Sequence, residues 1–175
     1  MKSYVLMVSL LVALLLIVGA LAFRGASQDV LPRQGGESPI GKPGSEHSHM
    51  SMLVFIRGEL FDFSQPEYQL KSPGVHFEDD EGTTIHKHAT GITLPYFFET
   101  LGMKLSANCL EMPGKNYCTE GNERFQIFVN RVPFNDKIIG YELRPGDKIL
   151  INYGGKSEFD LQLKLNSVPN LPSDL

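Results

Sequence analysis

The chain has 175 residues, which is enough for one compact domain with accessory segments. Its formal net charge is −4, and the charges are not gathered in long blocks of one sign. Because binding to a phosphate backbone needs a basic surface, this composition argues against a nucleic acid partner.

The N-terminal segment is apolar. Residues 4–23 carry no charge and lie between Lys2 and Arg24, and a helix of this length would cross a hydrocarbon core of about 30 Å. We therefore predict a transmembrane anchor over residues 1–23, single-pass in the cell membrane, with the C-terminal domain extracytoplasmic. The alternative is a signal sequence, since residues 20–22 offer a small-x-small cleavage motif, and cleavage would give a secreted domain.

The next segment, residues 24–46, is rich in Gly, Pro and Ser and has few apolar side chains, which is typical of a flexible tether. We predict a folded domain over residues 47–155, followed by a tail or short helix at 156–175. Alternating apolar residues in this tail suit a strand, but Ser157 and Asp160 resemble a capping box and favour a helix.

Two predicted hairpins and a helix begin the domain. Residues 52–63 alternate apolar and polar side chains around Arg57 and Gly58, which is typical of two short strands joined by a tight turn. Residues 74–88, GVHFEDDEGTTIHKH, repeat this pattern around an acidic turn. The following TLPYFFETLGM predicts a short amphipathic helix that Thr93 can cap.

The two cysteines flank a predicted turn. Pro113 and Gly114 suit the central positions of a type II turn and lie midway between Cys109 and Cys118, so the two thiols would face each other across a hairpin. In an exported domain this arrangement favours a disulfide over two free buried thiols. In catalytic thiol pairs only two residues separate the cysteines, so the wider spacing here argues against disulfide exchange chemistry.

Strands are also predicted in RFQIFVNRVPF and KILINYG, the second preceded by a Pro-Gly-Asp turn. Strands, one helix and further strands indicate the α+β class, with a short amphipathic helix packed on a mixed sheet. This order, ending in PGDKILINYGG, resembles the β-grasp fold of ubiquitin-like and sulfur-carrier proteins over about residues 52–155. Sulfur carriers activate a C-terminal diglycine, whereas residues 156–175 follow Gly154 and Gly155 here, so the resemblance concerns the fold.

A second resemblance involves the paired histidines and the motifs DFS, HFE and HATG before an aromatic helix, all within residues 54–103. This stretch is similar to a group of small membrane-anchored archaeal extracytoplasmic proteins that are often labelled protein disulfide isomerases. The resemblance implies an exported topology and makes the histidines a feature of the group.

All five histidines lie between residues 47 and 88. In the second hairpin, a turn centred on the acidic residues places His76 opposite Ile85 or His86. His86 and His88 are two apart on a strand and therefore project from the same face of a sheet. We predict that His76, His86 and His88 converge on one metal ion.

His47 and His49 have the same spacing and would join this face if EHSHMSMLVFI is a continuous strand. Five histidines could form one crowded site or two, while a solvated tail is the alternative for this pair. The acidic turn, including Glu78, lacks the spacing of a calcium loop and is expected to be solvated.

Imidazole ligands suit copper, zinc and nickel, and intrinsic affinity favours copper. Met50 and Met52 beside the first histidine pair also favour copper, so we predict a copper ion, with zinc as the alternative.

Three functions are compatible with this pattern. The preferred one is a membrane-anchored metal-binding protein for delivery, storage or sensing. The second is an accessory subunit that docks on another membrane protein. The third is a metallohydrolase in which Glu78 acts as the base. No nucleophile elbow, phosphate loop or His-Glu-x-x-His helix favours an enzyme.

Overall fold

The fold is described from a computed structural model, for residues 39–134, 136–155 and 157–171. The predicted anchor over residues 1–23 and most of the predicted tether lie outside the described residues. Within the described ranges, neither α-helix has the length and hydrophobicity that crossing a bilayer requires.

The predicted α+β class is confirmed, with ten strands and two α-helices in the described residues. The strands are β1 (Ser48–Ile56), β2 (Glu59–Leu60), β3 (Val75–His76), β4 (Thr84–Lys87), β5 (Lys104–Ser106), β6 (Cys109–Met112), β7 (Lys115–Cys118), β8 (Arg124–Val129), β9 (Val132–Phe134) and β10 (Lys148–Gly154). The helices are α1 (Leu94–Thr100) and α2 (Glu158–Ser167), and two short 3-10 helices span Pro66–Tyr68 and Asp136–Gly140.

The main sheet has the order β3-β4-β1-β10-β8-β9, with β2 pairing to the second half of β1. The central pair, β1 and β10, is parallel, and the other pairs are antiparallel. The sheet is therefore mixed, as predicted. A separate sheet of three antiparallel strands contains β5, β6 and β7.

The two faces of the main sheet carry different side chains, because successive residues of a strand point to opposite sides. On one face, Met50, Met52 and Val54 of β1 join the main hydrophobic core together with α1. On the other face, Leu53 packs in a smaller cluster with α2. Helix α2 thus covers the C-terminal half of β1 on the face to which His47 and His49 belong.

Both helices begin as their sequences predict. The side chain of Thr93 accepts a hydrogen bond from the Tyr96 amide and caps α1, whose buried Leu94, Phe97 and Phe98 face the core. The side chain of Ser157 likewise accepts from the Asp160 amide and caps α2. These bonds satisfy amide groups that have no partner inside a helix.

The cysteine hairpin forms as predicted. Cys109 and Cys118 are directly opposite in the β6–β7 pair and form a disulfide. Gly114 has a positive φ of 76°, as the second central residue of a type II turn requires.

The second hairpin differs from the prediction in length. The antiparallel pairing of β3 with β4 is present, but β3 has two residues, and seven residues, 77–83, connect the strands instead of the expected four or five. Asp79 and Asp80, within this connection, both have positive φ. The register is nevertheless one of those predicted, with His76 opposite His86.

Residues 41–46, which the sequence assigns to the tether, lie against the end of β4. The Gly41 amide bonds to the Thr90 carbonyl at 2.9 Å, and the Gly44 amide bonds to the His88 carbonyl at 2.7 Å. These bonds fix the chain that leads into β1.

Candidate metal centre

The five histidines come from three adjacent strands, β3, β4 and β1, and from the residues that directly adjoin β1 and β4. His86 of β4 lies between its partners, opposite His49 on one side and His76 on the other. His47 precedes His49 by two residues, and His88 follows His86 by two residues. Both therefore lie on the same face of the sheet as these partners. The side chains of His76, His86 and His88 thus lie on one face of the sheet, together with those of His47 and His49. That the first three bind one metal ion stays a prediction.

The imidazoles form a closed ring. Going around it, the ring centroids are separated by 4.6 Å for His86–His49, 4.9 Å for His49–His47, 5.0 Å for His47–His88, 5.0 Å for His88–His76 and 6.3 Å for His76–His86. The widest gap, between His76 and His86, contains the carboxylate of Glu78.

Glu78 uses both oxygens toward this cluster. Its Oε2 lies 3.1 Å from His76 Nε2, and its Oε1 lies 3.0 Å from His86 Nδ1. Sequence reasoning assigned Glu78 to a solvated acidic turn or to a base, and this assignment missed its position among the imidazoles. The available signal was the spacing of His76 and Glu78, which are two apart in an extended segment and therefore share a face.

The other acidic residues of the turn bond within the same segment or face solvent. The Glu81 carboxylate accepts hydrogen bonds from the Thr83 amide at 2.8 Å and from the Thr84 amide at 2.6 Å. Asp79 and Asp80 are exposed. Glu78 is therefore the one acid of this turn that enters the cluster.

The contacts of His76 leave Nε2 as the ring nitrogen that faces Glu78. Its Nδ1 lies 2.7 Å from the Ser72 carbonyl oxygen, which can only accept, so Nδ1 carries a hydrogen. In a neutral ring Nε2 then presents a lone pair toward Glu78 Oε2, at 3.1 Å. A metal ion between these two atoms would be bound by both of them, and a shared proton is the alternative.

The separations suit a metal. Metal bonds to imidazole nitrogen and carboxylate oxygen are about 2.0–2.2 Å long. Neighbouring donor atoms on one ion are then about 2.8–3.1 Å apart at a bond angle of about 90° and about 3.3–3.6 Å apart at the tetrahedral angle. The contacts of Glu78 with His76 and His86, at 3.1 Å and 3.0 Å, fall in the first range. Donor atoms of His76, Glu78 and His88 all lie within 4.8 Å of one another, and this group could hold a metal ion.

The protonation states also suit a metal. Burial lowers the pKa of His49, His86 and His88, and the neighbouring imidazoles lower the pKa of His49 and His88 further. Burial alone would raise the pKa of Glu78, but the hydrogen bond with His76 and the charge of His86 outweigh it and lower this pKa. At neutral pH His49, His86 and His88 therefore offer neutral imidazoles, and Glu78 offers an ionised carboxylate.

The cluster is accessible from solvent. His49, His76 and His86 are buried, with 9%, 8% and 8% of their surface exposed, while His47 is exposed. A cleft of about 630 Å³ opens beside them, lined in part by Pro145, Gly146 and Leu171. A small ion can therefore reach rings that the protein holds in place.

The Pro-Gly-Asp turn before β10 holds the leading strand. The Gly146 amide bonds to the His49 carbonyl at 2.8 Å, and the Ser51 amide bonds to the Asp147 carbonyl at 2.9 Å. Asp147 is itself buried and accepts from the Tyr141 hydroxyl at 2.7 Å. The Pro-Gly-Asp turn thus fixes the backbone of His49, one of the candidate ligands.

The expected role of methionine is wrong. Met50 and Met52 are fully buried in the main core, on the opposite face of the sheet from His49. Their thioethers cannot reach the histidines, because they alternate with them along β1. The preference for copper therefore depends on the imidazole and carboxylate donors alone.

No family model matches this chain, and neither a curated protein nor a solved structure is significantly similar to it. The function is therefore argued from the site.

Proposed function

We propose that this protein is a membrane-anchored extracytoplasmic metal-binding protein that uses its histidine face for metal delivery, storage or sensing. The observation that carries the proposal is the contact of His76 Nε2 with Glu78 Oε2 at 3.1 Å, because the other nitrogen of His76 is engaged by the Ser72 carbonyl. This pair can bind a metal ion between its two atoms, and His88 supplies a third donor.

We propose copper as the preferred ion and zinc as the second. Neutral imidazoles with one carboxylate are donors that both ions accept, and the general order of affinities places Cu²⁺ above Zn²⁺. A blue electron-transfer centre is not part of the proposal, because it needs a thiolate and both cysteines are in the disulfide.

The proposal includes a β-grasp fold. Its support is the strand order β4-β1-β10-β8, in which the first strand of the domain is parallel to the last and helix α1 follows the first hairpins. Such a fold carries His49, His76 and His86 on the strands themselves, which hold side chains more rigidly than loops do.

Binding is favoured over hydrolysis as the function of the site. A hydrolase would need Glu78 free to act as a base toward a metal-bound water. Both carboxylate oxygens of Glu78 instead face imidazoles, at 3.1 Å and 3.0 Å, as expected for a ligand.

The test is a metal titration of the full-length chain, purified in detergent without a histidine tag. We expect tight binding of Cu²⁺ and Zn²⁺ in competition with a chromophoric chelator, and a loss of affinity of at least about 10-fold in Glu78→Gln. Asp80→Asn is the matched control, since it removes one charge from the same loop at an exposed residue with a positive φ that asparagine tolerates.

Two results would refute the proposal. One is a purified chain in which elemental analysis finds no metal and from which the chelator removes all added Cu²⁺ and Zn²⁺. The other is equal affinity in Glu78→Gln, Asp80→Asn and the unaltered chain, because binding would then lie elsewhere.

A further inference from the structure

The cluster has more donors than one ion uses. Five imidazoles and one carboxylate form the ring described above, whereas a protein-bound zinc ion takes four ligands and a copper ion four or five. The donor group within 4.8 Å contains His76, Glu78 and His88 and leaves out three histidines. Those three, His47, His49 and His86, are neighbours of one another, with centroid separations of 4.9 Å and 4.6 Å along the series.

Glu78 connects the two halves. Its Oε2 faces His76, and its Oε1 faces His86, which belongs to the other half. A carboxylate that directs its two oxygens to different donor groups has the geometry of a bridging ligand. Pairs of metal ions in proteins are typically about 3.5–4 Å apart.

We infer that the histidine face binds two metal ions bridged by Glu78. The first ion is held by His76, His88 and Glu78 Oε2, and the second by His49, His86 and Glu78 Oε1. His47 lies between His49 and His88, at 4.9 Å and 5.0 Å, and can complete either shell. This inference rests on the proposed function and extends it to a second site.

Access supports two ions. Two divalent ions add four positive charges, of which Glu78 offsets one. Asp79 and Glu81 lie in the same connection between β3 and β4 and supply further negative charge. The open cleft beside His47 and His49 allows water or hydroxide to occupy the remaining coordination positions.

The experiment counts copper and measures its magnetic coupling in the full-length chain without a histidine tag. We expect two equivalents of Cu²⁺ per chain after desalting. With one equivalent, electron paramagnetic resonance should give the signal of an isolated ion. With two, this signal should fall and a half-field transition should appear, because the bridged ions couple.

Variants separate the two halves. We expect His49→Ala to reduce the stoichiometry from two to one and to retain the isolated signal. Asp80→Asn should keep two coupled ions. Glu78→Gln should lower the affinity for the second equivalent, and the half-field transition should decrease with it. Loss of both equivalents in His49→Ala, with a circular dichroism spectrum unchanged from the unaltered chain, would overturn the partition into two half-sites.

The outcomes distinguish this inference from the proposed function. One tightly bound ion in the unaltered chain would overturn the second site and leave the metal-binding function intact. No bound ion would overturn both. Two ions without magnetic coupling would overturn the bridge by Glu78.

Discussion

Lys87 and His86 are adjacent in the chain, yet their side chains lie on opposite faces of one sheet. The Lys87 ammonium is fully buried on the core face, 2.8 Å from Glu46 and 3.2 Å from Glu142. It also donates to the Leu143 carbonyl at 2.8 Å. These ion pairs keep a fixed positive charge away from the histidine face. They also link β4 to the segment before β1, through Glu46, and to the segment before β10, through Glu142.

Removing the Lys87 ammonium should destabilise the fold strongly. Lys87→Ala leaves two carboxylates without their common partner and opens a cavity, so we expect the free energy of unfolding to fall by about 3 kcal/mol. Lys104→Ala is the control, because Lys104 forms an exposed pair with Glu111 at 3.6 Å, and its loss should cost less than about 1 kcal/mol. Urea denaturation measures both, and equal effects would contradict this account of Lys87.

The lowered pKa values predict how stability depends on pH in the metal-free protein. His49, His86 and His88 have pKa values below 6.5 in the folded state, so the unfolded state binds more protons as the pH falls through this range. Their contribution is present above about pH 6.5 and is lost as the pH drops through the folded pKa values. Glu78, whose pKa is lowered from 4.5, acts in the same direction at lower pH.

We therefore expect the free energy of unfolding, measured with a chelator present, to decrease from pH 7.5 to pH 5.5. His86→Gln removes one of the titrating groups and should make this decrease shallower. A stability that is constant or that increases on acidification would show that these imidazoles are not held in their neutral form.

At the scale of elements, short-range pairing was predictable from the sequence and long-range pairing was not. The position of His76 opposite His86 follows from alternation and from a turn whose ends are near in sequence. The disulfide follows in the same way from the central Pro-Gly turn. In both cases the residues that decide the register lie within a few positions of the strands.

Two outcomes follow from alternation, which the sequence interpretation did not apply at these positions. His76 and Glu78 are two apart in an extended segment and share a face, and Met50 lies on the opposite face of β1 from His49. A local pattern lacks two other facts: the seven-residue length of the connection from β3 to β4, and what covers each face of β1. That cover is the main core on one face and α2 on the other, and it comes from segments far away in the chain.

The cysteine hairpin belongs to the three-stranded sheet, apart from the histidine strands. Cross-linking a loop of this length should stabilise the fold by about 2–3 kcal/mol through the entropy of the unfolded chain. We expect the double variant Cys109→Ser, Cys118→Ser to lose stability by about this amount in thermal or urea denaturation. Its affinity for Cu²⁺ should stay within about threefold of the unaltered chain. If this double variant kept its fold but lost much of its metal affinity, the disulfide and the metal site would not be independent of each other.

At the scale of the whole molecule, the main sheet is covered on one face by the core and only half covered on the other by α2. The histidines occupy the remaining half, where β3, β4 and β1 meet. Their donors come from segments around residues 47–49, 76–78 and 86–88, which are brought together only by sheet formation. A metal bound by this face is therefore bound by the folded state and not by any one segment.

This coupling predicts that metal stabilises the fold. An ion at 100 times its dissociation constant, with no affinity for the unfolded chain, adds about 2.7 kcal/mol to the free energy of unfolding. For a domain of this size the Tm should rise by about 5–10 °C. We expect this rise with Cu²⁺ and Zn²⁺ in differential scanning calorimetry, and none with Mg²⁺, which prefers oxygen ligands.

The variants make this last prediction specific. In Glu78→Gln the increase in Tm should be smaller than in Asp80→Asn, because only Glu78 contacts two of the imidazoles. An equal increase in both would place the stabilising ion away from Glu78, even if the titrations had found tight binding. The calorimetry thus tests whether the ion that the chain binds is the one that holds β3, β4 and β1 together.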